Sequence, residues 1–209
     1  MTRKGRGRVP ELKSESALQG RMQSDGLSIS IREIAGRGMI DLRGLATDRK
    51  FIAAAKLALG LDLPRAPRTT AAWGDVKALW LAPDQWLILT TAANATPLLE
   101  ALRKALGSVH SLAVDVSDMR AVIRLQGAEA RNVLLKGSSL DLLSDAYGAG
   151  TARRFRFAEI AALLDVVEED VFDVYVFRSY AEDAWGWLAK NARKGAEASA
   201  FGEQAGPGV

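Results

Sequence analysis

The sequence has no cysteine. Disulfides, thiolate zinc sites and cysteine nucleophiles are thereby excluded. It has one histidine, His110. Imidazole-based metal sites need several such rings or carboxylate partners, and a Ser-His-Asp triad would have to use this one. The run Gly107-Ser108-Val109-His110-Ser111-Leu112 reads instead as the entry to a strand after a helix. A GxSxG elbow, a Walker A loop and the spaced-glycine dinucleotide fingerprint are all missing. There is no run of about 20 apolar residues to cross a bilayer. Residues 9–20 carry Glu11, Lys13 and Glu15 where a secretory signal needs an apolar core. The expectation is a cytoplasmic chain, poorly equipped as a stand-alone enzyme, with no catalytic, cofactor-binding or metal residues assigned.

The composition is that of an ordinary globular protein: 209 residues, 48% hydrophobic and 25% charged. The net charge is +3. Much of the excess lies in the first 22 residues, where Arg3, Lys4, Arg6, Arg8, Lys13 and Arg21 face only Glu11 and Glu15. No aromatic residue is interleaved there, so nucleic-acid binding is not favoured. A solvated arm, or a strap along a partner, is the expectation.

The chain is organised around residues 111–137. Leu112, Val114 and Val116 alternate with Ser111, Ala113 and Asp115, the period-2 signature of a half-buried strand. After a turn at Asp118 and Met119, Ala121, Ile123 and Leu125 alternate again. Gly127 ends that strand, and a helix follows over residues 128–136. A weaker copy lies 83 residues upstream. There Ile40-Asp41-Leu42-Arg43-Gly44 matches Ile123-Arg124-Leu125-Gln126-Gly127, and Leu61-Asp62-Leu63 matches Leu140-Asp141-Leu142. The pattern suits two related half-domains.

In chain order, residues 27–34 read as a strand with one wet face. Residues 39–43 form the next strand. Thr47 or Asp48 caps a helix that Gly60 ends, and residues 63–70 are a loop. Residues 76–81 and 85–91 make a hairpin about Ala82-Pro83-Asp84, with Trp80 and Trp86 packing across it. Asn94 or Thr96 starts a helix with Pro97 in its first turn. Gly107 stops this helix and a strand returns. The order β-α-β-β-α-β is the split βαβ, ferredoxin-like arrangement. The second half repeats it: strand, helix, a loop over 138–150, strand over 153–157 and 160–167, strand over 171–177, and a helix capped by Ser179. No final strand follows, and the spare strand at 27–34 can fill that edge. The fold class is therefore α+β, with two tandem ferredoxin-like halves. The expected divisions are a basic flexible arm at 1–24, halves at 25–117 and 118–195, and a disordered tail at 196–209.

These motifs carry a family likeness. Trp80-Leu81-Ala82-Pro83-Asp84-Gln85-Trp86-Leu87, Asp115-Val116-Ser117 with Arg120, Arg124-Leu125-Gln126-Gly127, Lys136-Gly137, Asp173 to Tyr180, and Trp185-Gly186-Trp187-Leu188 occur in that order. Over about residues 27–195 the chain resembles the gamma subunit of heterotetrameric sarcosine oxidase. The resemblance implies a complex with alpha, beta and delta subunits that oxidatively demethylates sarcosine to glycine. Hydrogen peroxide and 5,10-methylenetetrahydrofolate are the other products. FAD, FMN, NAD and tetrahydrofolate are implied for the complex, and no cofactor for this chain. The implied fold is similar to the folate-binding domain of aminomethyltransferases. The alternative is a stand-alone folate-binding protein of one-carbon metabolism.

Three sets of residues are candidates for a site. Asp115, Arg120 and Arg124 could recognise an anion, since a guanidinium binds carboxylate bidentately. The plainer reading is an ion pair across the Asp118 turn. Arg178 and Ser179 read as a strand-end cation and an N-cap. Trp185 shares a helix face with Leu188 and Ala192 and belongs to the core. Trp187 lies on the polar side, where it either folds over a neighbouring loop or docks into a partner. With Arg65, Arg68, Arg153 and Arg154 on two loops, Trp187 makes up the expected interface set.

Overall fold

The computed structural model describes residues 15–24 and 28–196. Two antiparallel sheets are built from the two sequence copies, and each comes from one run of alternating residues after another. The first holds β3 (Arg37–Gly44), β4 (Thr70–Trp73), β5 (Val76–Ala82), β6 (Gln85–Thr91) and β7 (Ser111–Asp115), in the spatial order β4-β5-β6-β3-β7. The second holds β1 (Met22–Gln23), β2 (Ser30–Glu33), β8 (Arg120–Gln126), β9 (Thr151–Phe157), β10 (Ile160–Glu168) and β11 (Val171–Phe177), in the order β1-β2-β8-β11-β10-β9. Helices α1 (Arg49–Leu59) and α2 (Ala92–Leu106) cover the outer face of the first sheet. Helices α3 (Ala130–Leu135) and α4 (Ala181–Asn191) cover that of the second.

The two sheets correspond strand for strand. β8, β9, β10 and β11 repeat β3, β4, β5 and β6, and β2 takes beside β8 the place that β7 takes beside β3. The spare early strand thus fills the open edge of the second unit, pairing Ser30 to Glu33 against Gln126 to Ile123. β2 precedes the first unit in sequence yet belongs to the second sheet, so the chain laces the two units together.

The period-2 pattern decides which face of each strand is buried where. On the outer faces, Ile40, Leu42, Trp86 and Ile88 pack under α1 and α2, while Ile123, Leu125, Phe172 and Val174 pack under α3 and α4. The inner faces meet each other through Met39, Leu79, Leu87, Leu89, Val122, Leu163 and Tyr175. The result is four layers, helix–sheet–sheet–helix, with three apolar zones between them.

Several local expectations hold. Asp48 caps α1, accepting from the Lys50 amide at 2.8 Å, and Gly60 ends the helix at φ 71°. Trp80 and Trp86 are cross-strand partners, and Trp185 is buried.

Others are corrected. α2 begins one turn earlier than expected, because Thr91 accepts from the Asn94 amide at 3.2 Å and caps it. Pro97 is therefore inside the helix rather than in its first turn. Ser179 does not cap α4. The chain enters that helix through a 3-10 turn, Arg178–Tyr180, and the first α-turn carries Glu182 and Asp183, which suit the positive end of the helix dipole. Thr70–Trp73 is a strand, β4, which the prolines before it hid. The stretch expected as arm is folded from residue 15 to 24. Leu18 is fully buried, the Glu33 carboxylate accepts from the Leu18 and Gly20 amides, and β1 pairs with β2. The remainder of that arm, residues 1–14, and the tail from residue 197 lie outside the described residues.

Candidate functional site

Polar side chains concentrate between the two sheets, where the alternation of the strands turns them inward. Three contacts between side chains tie the first unit to the second, beside a backbone bridge of Thr69 with Thr151. Lys77 on β5 reaches across to Asp165 on β10, its Nζ 2.7 Å from both carboxylate oxygens. Arg37 on β3 lies 3.5 Å from Asp173 on β11. Arg154 on β9 donates to Gln85 Oε1 on β6 at 2.8 Å.

Asp165 and Asp173 are cross-strand neighbours and both are fully buried. Two carboxylates placed so need cations. Arg124, the cross-strand partner of Asp173, supplies one with a two-pronged contact at 2.7 and 2.9 Å. That hydrogen bond is the main reason its guanidinium pKa is raised. Asp165 behaves differently. Burial raises its pKa, and the attraction of Lys77 offsets this only in part. Beside them Tyr175 is fully buried, and burial pushes its phenol well above the ordinary range. Its hydroxyl has no hydrogen-bond partner among the described residues.

A second polar group lies at the other end of the same inter-sheet layer. Asp41 accepts from Gln85 Nε2 at 2.9 Å and lies 3.9 Å from Arg43. Arg120 stacks over the Phe177 ring at 4.7 Å, and its buried Nε has no partner. Burial, then the nearby Arg154 charge, lowers the Arg120 pKa, and Asp41 counters only part of this. A cleft of about 370 Å³ opens beside Arg120, where residues 34–37 and 117–120 cross between the units. Three of its other charged groups are engaged, Arg37 among them through Asp173. Arg178 donates to the Glu15 carbonyl at 2.6 Å, and Glu33 accepts from Ser16 at 2.7 Å.

The trio Asp115, Arg120 and Arg124 is not brought together. Asp115 accepts from the Ser117 amide and hydroxyl at 2.9 and 2.6 Å and shapes the turn. Arg124 is committed to Asp173 rather than to an acid across the Asp118 turn. Of the expected interface set, Arg65 and Arg68 are exposed. Arg153 donates to the Tyr147 hydroxyl at 2.7 Å, and Arg154 is held by Gln85. Trp187 is half-buried. It meets Phe157 edge-on at 4.7 Å, and its ring lies where a side chain on Gly137 would sit. It folds over a neighbouring loop.

The exposed tryptophan is another one. Trp73 on β4 is 71% exposed, at the end of the sheet beside Gly60, and Leu57 on α1 is 80% exposed. Sequence reasoning missed it because β4 itself was missed. Lone charges in apolar runs, as in Leu164-Asp165-Val166 and Phe172-Asp173-Val174, were the available signal for the buried carboxylates.

The described residues contain no group of three or more His, Asp or Glu placed to hold a metal, and no helix long and apolar enough to cross a membrane. What the arrangement does chemically is fasten two sheets together. Each buried carboxylate is matched to a cation.

Comparison with known proteins agrees with the topology. Residues 43–194 match the family described as "Sarcosine oxidase, gamma subunit family". The sarcosine oxidase subunit gamma of Corynebacterium sp. (strain U-96) is 31% identical over 187 residues, covering 87% of each chain. A chain of the heterotetrameric sarcosine oxidase from Corynebacterium sp. U-96, solved in complex with pyrrole 2-carboxylate, superposes with a TM-score of 0.73. It is 29% identical, with 78% of this chain and 82% of that one covered. The glycine cleavage system aminomethyltransferase T from Bartonella henselae superposes with a TM-score of 0.65 over 87% of this chain and 58% of its own. At 13% identity it shares the fold.

Proposed function

Since the chain belongs to the sarcosine oxidase gamma subunit family, we propose that it is the gamma subunit of a heterotetrameric sarcosine oxidase and supports assembly of the subunits that carry the flavins. The single observation that carries this reading is the superposition on a chain of the Corynebacterium complex over most of both lengths. The polar chemistry agrees with it. The buried charges are spent on holding the two sheets together, which suits a rigid scaffold.

The complex would oxidatively demethylate sarcosine to glycine, with hydrogen peroxide and 5,10-methylenetetrahydrofolate as products. FAD, FMN, NAD and tetrahydrofolate would sit on the alpha, beta and delta subunits, in the cytoplasm. This chain would hold none of them. Its contacts with the larger subunits would run through exposed cations and aromatics: Arg65 and Arg68, the outer edge of Trp187, and above all Trp73 with Leu57. Exposed tryptophans are favoured interface anchors, and neither Arg65 nor Arg68 has a side-chain partner among the described residues.

Co-expression of the other subunits with and without this chain tests the role. Loss of assembly or of flavin content without it is the expected result. Full flavin loading, assembly and turnover in its absence would overturn the assembly role.

A further inference from the structure

β7 and β2 hold equivalent places in the two sheets, but their outer edges are treated differently. β1 pairs along the outside of β2, joining Met22 to Arg32 and Gln23 to Ile31. β7 pairs only with β3, and among the described residues no strand lies along its other edge, although the Arg103 guanidinium of α2 donates to the Ala113 carbonyl at 3.0 and 3.2 Å. An edge strand not paired with a further strand is a template for one, and an incoming strand would compete with Arg103 for the Ala113 carbonyl. The inner face of β7 is also uncovered. Leu112 and Val114 are 47% and 37% exposed, while Val116, next in the row, is packed between the sheets.

The charge on the inner face beside this edge is mostly positive, while Asp115, on the other face of β7, is held by Ser117. Arg43 and Asp41 are the cross-strand neighbours of Leu112 and Val114. Behind them lie Arg154, held through Gln85, and Arg120 with its unpartnered Nε. Three guanidiniums therefore share one carboxylate, Asp41. The depressed Arg120 pKa has the same origin, burial and a neighbouring cation without enough compensating negative charge.

We propose that the free edge of β7 receives an extended, acidic segment of a partner subunit, which lengthens the five-stranded sheet as β1 lengthens the other and sets carboxylates against Arg43 and Arg120. Main-chain pairing along an edge supplies affinity, and alternate side chains supply specificity. Here those would be an apolar residue on Leu112 and Val114, and an acid toward the arginines. The chain's own residues 1–14 have the wrong sign, with Arg3, Lys4, Arg6, Arg8 and Lys13 against Glu11. The proposal rests on the reading of the chain as a subunit of a larger complex.

Hydrogen exchange on the full chain, alone and in the co-purified complex, tests it together with Arg43→Glu. Amides of residues 111–115 should exchange at least tenfold more slowly in the complex. Arg43→Glu should weaken capture by the other subunits at least tenfold and leave the melting temperature of the isolated chain unchanged. Unaltered exchange at 111–115 in an intact complex would overturn the proposal and leave the subunit reading standing. Equal protection in the isolated chain would also overturn it, whether from its own tail or from self-association. A wild-type chain that the other subunits do not capture at all would refute the subunit reading itself.

Discussion

Lys77 and Asp165 meet across the interface of the two sheets, each contributed by the corresponding strand of one sequence copy, with Nζ 2.7 Å from both carboxylate oxygens. Asp165 is buried, so its charge depends chiefly on this cation from the opposite sheet, with Arg37 a weaker second. Lys77→Met should cost about 3–5 kcal/mol, the usual penalty for stranding a buried charge. Lys77→Met with Asp165→Leu should recover most of that loss. Chemical denaturation of the single and double variants checks it, and equal losses in both would contradict the pairing.

Asp165 also sets a pH dependence. Burial raises its folded-state pKa above the value in the unfolded chain. The folded protein therefore binds this proton more tightly. The stability so gained is present at low pH and is lost as pH rises through the raised pKa. Denaturation curves taken upward from about pH 4, at the ordinary aspartate value, should show a declining contribution that Asp165→Asn removes. A contribution that grows with pH would mean that Lys77 outweighs burial.

The Tyr175 hydroxyl is buried without a partner. Tyr175→Phe removes that polar atom and leaves the ring. It should stabilise the chain by about 1 kcal/mol, seen as a rise of about 2–4 °C in melting temperature. A fall of similar size would reveal a partner for the hydroxyl.

Gly127 closes β8 at φ 130°, and a side chain there would stand 2.3 Å from the Ser28 carbonyl. Gly127→Ala should cost about 2 kcal/mol or more, from backbone strain together with displacement of β2. Thermal melting measures it. A neutral result would show that the β2 entry is free to move.

Trp73 and Trp187 should differ in what they do for the isolated fold. Trp187→Ala removes a ring packed on Phe157 and should cost about 2 kcal/mol, below the core range because the indole is half exposed. Trp73→Ala should leave the isolated fold unchanged and weaken capture by the other subunits. Melting and pull-down on both variants separate the two roles, and a large drop in melting for Trp73→Ala would place it in the core.

The duplication was legible because each copy repeats a strand–Gly–helix unit. The clearest mark was Ile40 to Gly44 against Ile123 to Gly127, and these are equivalent positions in β3 and β8. The filling of the second sheet's edge by residues near 30 was also legible, since the second copy ends without a last strand. β4 was not, because its four residues follow a Pro-rich, Arg-rich run and their partners are supplied by β5. The pairing of Lys77 with Asp165 joins residues 88 apart, and nothing local to either one names the other. Trp187 looked exposed on a helical wheel, but Phe157 and the space over Gly137 come from elsewhere in the chain.

Affinity purification of this chain from its source cell, with identification of the polypeptides that come with it, tests the central claim most directly. The account predicts recovery in one stoichiometric assembly with the flavin-bearing subunits of a sarcosine oxidase. Recovery of the chain alone, or with unrelated proteins only, would contradict it.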